Sequence, residues 1–120
     1  MSVAQRVESS AYERPLDLVH LSRQTLGDRS VEREVLALFR RQARQVLFQL
    51  DALNNPSNRL EIAHALNGSA KGVGAWRVAS AAAALETAAR HGLPAGDAVA
   101  ALAEAISEVC GEIDDLLTDA

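Results

Sequence analysis

Hydrophobic residues recur along most of this chain at intervals of three and four, the spacing that lines one side of an α-helix. Four long segments show this pattern, and a shorter one precedes them with Leu16, Leu18, Val19 and Leu21. The residues on the core-facing sides of the long segments are Val35, Phe39, Val46, Leu50 and Leu53; Ile62, Leu66, Ser69 and Val73; Val78, Ala82, Leu85 and Ala89; and Leu102, Ile106, Val109, Ile113 and Leu116. The pattern therefore predicts four helices of useful length and a short helix in front of them.

Helix-breaking and capping residues indicate where these helices begin and end. Breaks are expected at Gly27, at Asn54-Asn55-Pro56, at Gly72 and Gly74, and at Gly92 and Pro94. Pro15 suits the first turn of the short helix. Asp28 or Ser30 can cap the second helix, and Ser57 can cap the third.

The short connections favour an antiparallel up-down-up-down four-helix bundle with a short extra N-terminal helix. Residues 15–120 form this bundle in the predicted organisation, and the mixed polar residues 1–14 form a flexible N-terminal arm. The composition agrees with an all-α fold, since 48% of the residues are hydrophobic, only 3% are aromatic and roughly a fifth are alanine. Small apolar residues favour closely packed helices over a sheet.

Charge and cysteine content narrow the class of protein. A formal net charge of −4 argues against a nucleic-acid-binding module, which needs a basic surface to neutralise phosphates. No apolar run approaches the ~20 residues needed to span a bilayer, and no signal-peptide pattern opens the chain. The lone Cys110 excludes an internal disulfide and is expected to be a small buried hydrophobe. We therefore expect a cytoplasmic protein without membrane insertion.

His64 is the main candidate for chemistry, because it lies on the side of its helix that faces away from the core-facing residues. Leu60, Asn67, Gly68 and Lys71 share this outward side. Glycine in the middle of a helix lowers the stability of the helix by about 0.5–1 kcal/mol relative to alanine. The presence of Gly68 is understandable if another surface must approach the imidazole. Ser69 lies nearer the core and can bond back to a carbonyl of its own helix. The alternative is an ordinary surface histidine, with small residues that let helices approach.

The sequence indicates neither a metal site nor a nucleotide site of its own. Metal-binding bundles use paired Glu-x-x-His elements, and only Glu61-Ile62-Ala63-His64 matches. No Gly-Lys-Ser/Thr motif occurs, and no hydrolase motif surrounds Ser69 or Ser80. His20 and His91 are expected to be structural or solvated. Any chemistry therefore needs a partner that supplies the nucleotide or the metal.

The run His64-Ala65-Leu66-Asn67-Gly68-Ser69-Ala70-Lys71-Gly72-Val73-Gly74-Ala75 strongly resembles the signature of histidine-containing phosphotransfer (HPt) domains. That signature reads approximately His-x-Leu-Lys-Gly-Ser-Ala, with a glycine a few residues later. The likeness extends over roughly residues 15–117, through Leu26-Gly27-Asp28 and Leu36-Ala37-Leu38-Phe39 upstream and Val78-Ala79 and Leu85-Glu86 downstream. One position departs from the pattern, because Asn67 stands where the family usually has lysine. An amide can donate a hydrogen bond to a phosphoryl oxygen but brings no charge. Lys71 on the same face is expected to supply part of the missing positive charge.

The resemblance implies a phosphoryl carrier and not an enzyme with its own ATP site. His64 would relay a phosphoryl group between aspartates of response-regulator receiver domains, or from a hybrid histidine kinase to a response regulator. The chain would need no cofactor, and the Mg²⁺ is expected in the partner receiver domain. We expect an independent protein and not a piece of a larger kinase. The alternative, which Asn67 keeps open, is a non-phosphorylated helical module that binds or dimerises through the His64 face.

Two further residues are expected near His64 on the helix that returns after the glycine turn. Glu86 comes level with the histidine and can orient the imidazole, and Arg90 one turn later can attract phosphate. The alternative is an ordinary surface pair at i,i+4 spacing. Phe48 falls outside the apolar side of its helix, so it either joins a docking patch with Leu60 or packs against the N-terminal helix.

Overall fold

The structure is a computed structural model that describes residues 14–52 and 56–118 of the 120-residue chain. Within these residues it contains five α-helices and no strand: α1 Leu18–Gln24, α2 Arg29–Ala52, α3 Pro56–Val73, α4 Trp76–His91 and α5 Gly96–Thr118. The predicted all-α fold is confirmed. The predicted arm at residues 1–14 lies outside the described residues except for Arg14, and so does the predicted break at Asn54 and Asn55.

The four long helices form a bundle in which each helix has two long neighbours. α2 packs against α3 and α5, and α4 packs against the same two helices, while α1 packs against α3. The largest fully buried side chains are Leu16, Leu66, Val78, Leu85, Leu102, Ile106, Val109 and Ile113. Ala43, Ala63, Ala70 and Ala82 are also completely buried, and their small side chains let neighbouring helices approach closely.

Two helices begin at residues other than those the sequence suggested. α1 begins at Leu18, because the Asp17 carboxylate accepts the backbone N–H of His20 at 3.1 Å and caps the helix. Pro15, expected in its first turn, therefore lies before α1. α3 begins at Pro56, so Ser57 lies within the helix and not before it, as a cap would.

The link between α1 and α2 ends one helix and starts the next within a few residues. Gly27 takes up a left-handed conformation with φ of 74°, as expected for the predicted break. Of the two predicted caps for α2, Asp28 is the one used, since its Oδ1 accepts the backbone N–H of Val31 at 3.1 Å.

The turn between α3 and α4 depends on one of its two predicted glycines. Gly74 has φ of 81°, and a Cβ there would lie 2.9 Å from the carbonyl oxygen of Asp17. Gly72 lies within α3, and a Cβ there would meet nothing within 4 Å. The close approach of Asp17 is also a hydrogen bond, because its backbone N–H donates to the carbonyl of Gly74 at 2.9 Å. The glycine therefore lets α1 fasten to the turn below the His64 helix.

Candidate functional site

α3 presents His64 to solvent while its other side enters the core. The His64 side chain is 76% exposed, whereas Ala63, Leu66 and Ala70 are fully buried. Ser69 was expected on the core-facing side and is half-buried at its edge. The predicted bond within its own helix is confirmed, because its hydroxyl donates to the carbonyl of Ala65 at 3.2 Å. The alanines hold the centre of the packed side because α3 must lie close to its neighbours there.

Glu86 on α4 holds one nitrogen of the His64 ring. The Nδ1 atom of His64 lies 3.1 Å from Oε2 of Glu86, and the Glu86 side chain is only 12% exposed. An ionised carboxylate only accepts hydrogen bonds, so the Nδ1 atom carries the hydrogen. In a neutral ring with this tautomer the lone pair lies on Nε2, on the opposite edge. The arrangement therefore offers Nε2 as a nucleophile.

The same oxygen of Glu86 also binds Arg90. The Arg90 NH2 atom lies 3.1 Å from Glu86 Oε2, and the Arg90 side chain is 58% exposed. Glu86 thus joins the histidine of one helix to the arginine of the next through a single atom. The structure brings together the three residues that the sequence placed at this level of the bundle.

Gly68, one turn after His64, leaves open space on the outward side of α3. It is exposed, and a Cβ at this position would meet no atom within 4 Å. Its backbone is not among those with positive φ, so the fold does not need glycine here. The outward side of α3 beside His64 is therefore open, and the fold would tolerate a side chain at Gly68.

Asn67 and Lys71 do not contact His64 in this part of the structure. The Lys71 side chain is exposed, and its carbonyl lies 2.9 Å from Nε2 of His20. Asn67 is half-buried, and its Oδ1 atom is buried without a hydrogen-bond partner among the described residues. A buried amide oxygen without a partner is uncommon in folded proteins.

The two candidates for a docking patch differ in exposure. Phe48 is 78% exposed on α2, so the alternative that it packs against the N-terminal helix is wrong. Leu60 is half-buried on α3. Both therefore contribute apolar area to the surface, Phe48 much more than Leu60.

The remaining histidines and the cysteine lie away from this constellation. His20 donates from Nε2 to the Lys71 carbonyl, and its ring packs edge-on against Trp76 with centroids 4.9 Å apart. His91 is exposed at the end of α4. Burial raises the pKa of the Cys110 thiol, and its side chain lies at the core. Sequence reasoning missed the contacts of His20 because they join residues far apart in the chain.

Neither a metal centre nor a membrane span is found in the part of the chain that the structure describes. Among residues 14–52 and 56–118, no three His, Cys, Asp or Glu side chains are grouped so that they could hold a metal ion. None of the described helices is both long enough and apolar enough to cross a membrane.

Comparison with known protein families identifies a match. The family model described as Hpt domain matches residues 34–119, which is more than half of the chain and includes the helices α3, α4 and α5. α1 lies before the matched residues. No curated protein and no solved structure gave a significant match.

Proposed function

Because the chain belongs to the Hpt domain family, whose members take part in histidine phosphotransfer in two-component phosphorelays, we propose that His64 is its phosphoryl acceptor. The observation that carries the proposal is the exposed imidazole whose Nδ1 is held by the nearly buried carboxylate of Glu86. Neither His20 nor His91 has a comparable setting, since the His20 ring is bonded to a carbonyl and His91 lies at a helix end.

The geometry suggests how acceptance would proceed. The lone pair on Nε2 of His64 attacks the phosphorus of an aspartyl phosphate in line, so that a P–N bond forms as the P–O bond to the aspartate breaks. The carboxylate of the partner aspartate leaves with the electron pair. The ring keeps its hydrogen on Nδ1 and becomes cationic, and Glu86 offsets that charge. The reverse step returns the phosphoryl group to an aspartate of another receiver domain.

The residues around His64 would then serve the approach of a receiver domain. Gly68 leaves open space one turn after His64, and the Ser69 hydroxyl is bonded to the carbonyl of Ala65 in its own helix. We expect the amide of Asn67 and the ammonium of Lys71 to approach phosphoryl oxygens from the same helix. Phe48 and Leu60 add apolar area for docking.

The partners we propose are response-regulator receiver domains and a hybrid histidine kinase, which fits a cytoplasmic carrier. The chain would be a carrier without an ATP site. Phosphoryl transfer between histidine and aspartate needs Mg²⁺ and an acidic cluster, and we propose that the receiver domain supplies both. The chain would then contribute only the nucleophile and the helix that holds it in a fixed orientation.

We also propose that the four long helices run alternately up and down. His64 and Glu86, which are bonded, lie eleven residues before and eleven residues after Ala75 in the α3–α4 turn. On α2 and α5, Arg40 binds Asp114 while Arg33, earlier in α2, binds the carbonyl of Leu117, later in α5. Both pairings are those of antiparallel neighbours, and short connections favour the same topology.

The test uses a panel of purified receiver domains that carry radioactive phosphate on their aspartate. The wild-type chain is expected to become labelled through a bond that acid and heat destroy, as a phosphoramidate is. His64→Gln is expected to remain unlabelled and to keep its circular dichroism spectrum, since an exposed substitution changes the free energy of unfolding by less than about 0.5 kcal/mol. Label on the folded His64→Gln variant would show that another group is the acceptor. A chain that binds receivers without acquiring label would instead be an interaction module.

A further inference from the structure

One oxygen atom of Glu86 has two partners of different kinds. Oε2 lies 3.1 Å from Nδ1 of His64 and 3.1 Å from NH2 of Arg90. The Glu86 side chain is 12% exposed, so water can solvate little of its charge, whereas the Arg90 side chain is 58% exposed. A poorly solvated carboxylate interacts strongly with whatever charge is nearest. His64 and Arg90 therefore share the charge of one poorly solvated carboxylate.

The Glu86 carboxylate has two opposing effects on His64 as a phosphoryl acceptor. A carboxylate that binds Nδ1–H orients the ring and leaves the lone pair on Nε2. The same carboxylate, uncompensated, favours the protonated form of an imidazole beside it. A protonated ring has no lone pair on Nε2 and cannot accept a phosphoryl group. A positive charge beside Glu86 would allow the carboxylate to bind Nδ1–H without favouring the protonated ring.

We propose that Arg90 is a positioning residue that acts on His64 through Glu86. By sharing Oε2 it offsets the carboxylate's charge, so that Glu86 holds the Nδ1–H bond without strongly favouring the protonated ring. This inference rests on the proposed function, phosphoryl acceptance by His64. It gives Arg90 a role that needs no contact with the phosphoryl group.

The other charges around His64 are placed differently. On α3 itself, Glu61 is exposed one turn before the histidine, and Lys71 is exposed two turns after it. On α2, which also packs against α3, Arg40 and Arg44 bind Asp114 of α5, while Arg41 is exposed. On α4, Arg77 binds Glu108 of α5, and His91 is exposed at the helix end. Arg90 is the cation whose bond to Glu86 the structure records.

The experiment measures the pH dependence of His64 labelling with phosphoramidate, a small donor that excludes effects on receiver docking. In this reaction the P–N bond of the donor breaks, ammonia leaves, and a P–N bond to Nε2 forms. Initial rates of acid-labile labelling are measured from about pH 5.5 to pH 9 for wild type and for Arg90→Gln, Arg90→Lys and Arg77→Gln. Arg77→Gln is the matched control, because it removes an arginine from the same helix and breaks an ion pair of 2.6 Å with Glu108.

For Arg90→Gln we expect the rate profile to move to higher pH by about 0.3 unit, which lowers the rate at pH 6 about twofold. The rate at pH 9 should equal or slightly exceed that of wild type, because the ring is then neutral in both proteins. Arg90→Lys should restore most of the wild-type profile, and Arg77→Gln should leave it unchanged. In a Glu86→Gln background, Arg90→Gln should no longer move the profile.

Three results would overturn the role of Arg90. An unmoved profile would show that Arg90 does not act on His64, and equal loss at every pH in both Glu86 backgrounds would indicate direct contact with the donor's phosphoryl group. A shift of the same size in Arg77→Gln would show a general effect of lost charge. The proposed function fails in a different way, if the wild-type chain is not labelled or if His64→Gln is labelled as fast as wild type.

Discussion

The Oδ2 atom of Asp17 accepts a hydrogen bond of 3.0 Å from Nε1 of Trp76, and so joins the residue before α1 to the first residue of α4. The same aspartate caps α1 through Oδ1, and its backbone N–H binds Gly74. The Trp76 hydrogen bond is the main cause that lowers the pKa of the Asp17 carboxyl below its ordinary 3.8. α1 is thus fastened to the turn that follows the His64 helix.

Replacing the indole donor should weaken this fastening. Trp76→Phe keeps an aromatic ring but leaves Asp17 without the donor, and should lower the free energy of unfolding at pH 7 by about 1 kcal/mol. Urea unfolding followed by circular dichroism measures this, since Trp76 is the only tryptophan and its fluorescence is lost in the variant. Arg77→Gln, next to it on the exposed side, is the control and should change stability by about 0.5 kcal/mol at most.

The stability of Trp76→Phe should also depend less on acid pH than that of wild type. A carboxyl whose pKa is lowered on folding contributes stability that is complete above its unfolded value and is lost as the pH falls through its folded value. For Asp17 this loss begins near pH 4 and continues below it. Wild type should therefore lose more stability than Trp76→Phe between pH 5 and pH 2. Parallel curves for the two proteins would show that Trp76 does not stabilise the ionised Asp17.

The helices and the His64 site could be predicted from the sequence because they depend on local spacing. Glu86 meets His64 because both lie equally far from the turn, a distance that counting residues supplies. The contact between Asp17 and Trp76 spans 59 residues, and no periodic pattern encodes it. Pro15 was expected in the first turn of α1, but the helix begins at Leu18, because it is capped by the side chain of Asp17, which was not among the predicted caps. Ser69 lies at the edge of the core-facing side, where residue spacing alone does not separate a buried position from a half-buried one.

Gly68 should be replaceable for folding but not for transfer. Gly68→Gln has open space for its side chain and better helix propensity, so the free energy of unfolding should rise by about 0.5 kcal/mol. Transfer from a labelled receiver domain should slow at least about tenfold because the side chain obstructs the approach to His64. Gly111→Gln is the matched control, since a Cβ at this exposed position of α5 also meets nothing within 4 Å. It should gain similar stability and transfer normally. Normal transfer in Gly68→Gln would place the docking face elsewhere.

Cys110 should react slowly with thiol reagents as long as the bundle is folded. Its side chain is 7% exposed, and burial raises the pKa of the thiol, so both access and the thiolate fraction are reduced at pH 8. Reaction with an aromatic disulfide reagent, followed by absorbance, should be at least about tenfold slower in buffer than in 8 M urea. Equal rates in the two solvents would mean that the contact between α2 and α5 opens readily.

Asn67 and Lys71 should together replace the lysine that the family usually has three residues after the histidine, Asn67 by a hydrogen bond to the phosphoryl group and Lys71 by its positive charge. Lys71 is exposed, so Lys71→Ala should slow phosphorylation of His64 without loss of stability. Asn67→Lys should speed phosphorylation or prolong the phosphorylated state, because it adds a positive charge one turn from the ring. Each effect should be about 1 kcal/mol or less, as is usual for exposed charges.

Salt distinguishes this electrostatic effect from a steric one. The Debye length is about 10 Å at 0.1 M salt and about 3 Å at 1 M, so the differences between both variants and wild type should shrink as salt is added. Labelling by phosphoramidate at 0.05 M and 1 M salt measures this without a partner protein, and Arg77→Gln again controls for lost charge on the other helix. Differences that persist at 1 M salt would show that shape and not charge is responsible. Wild-type rates in both variants at both salt concentrations would show that neither side chain meets the phosphoryl group, which would leave its charge to be stabilised by the receiver domain.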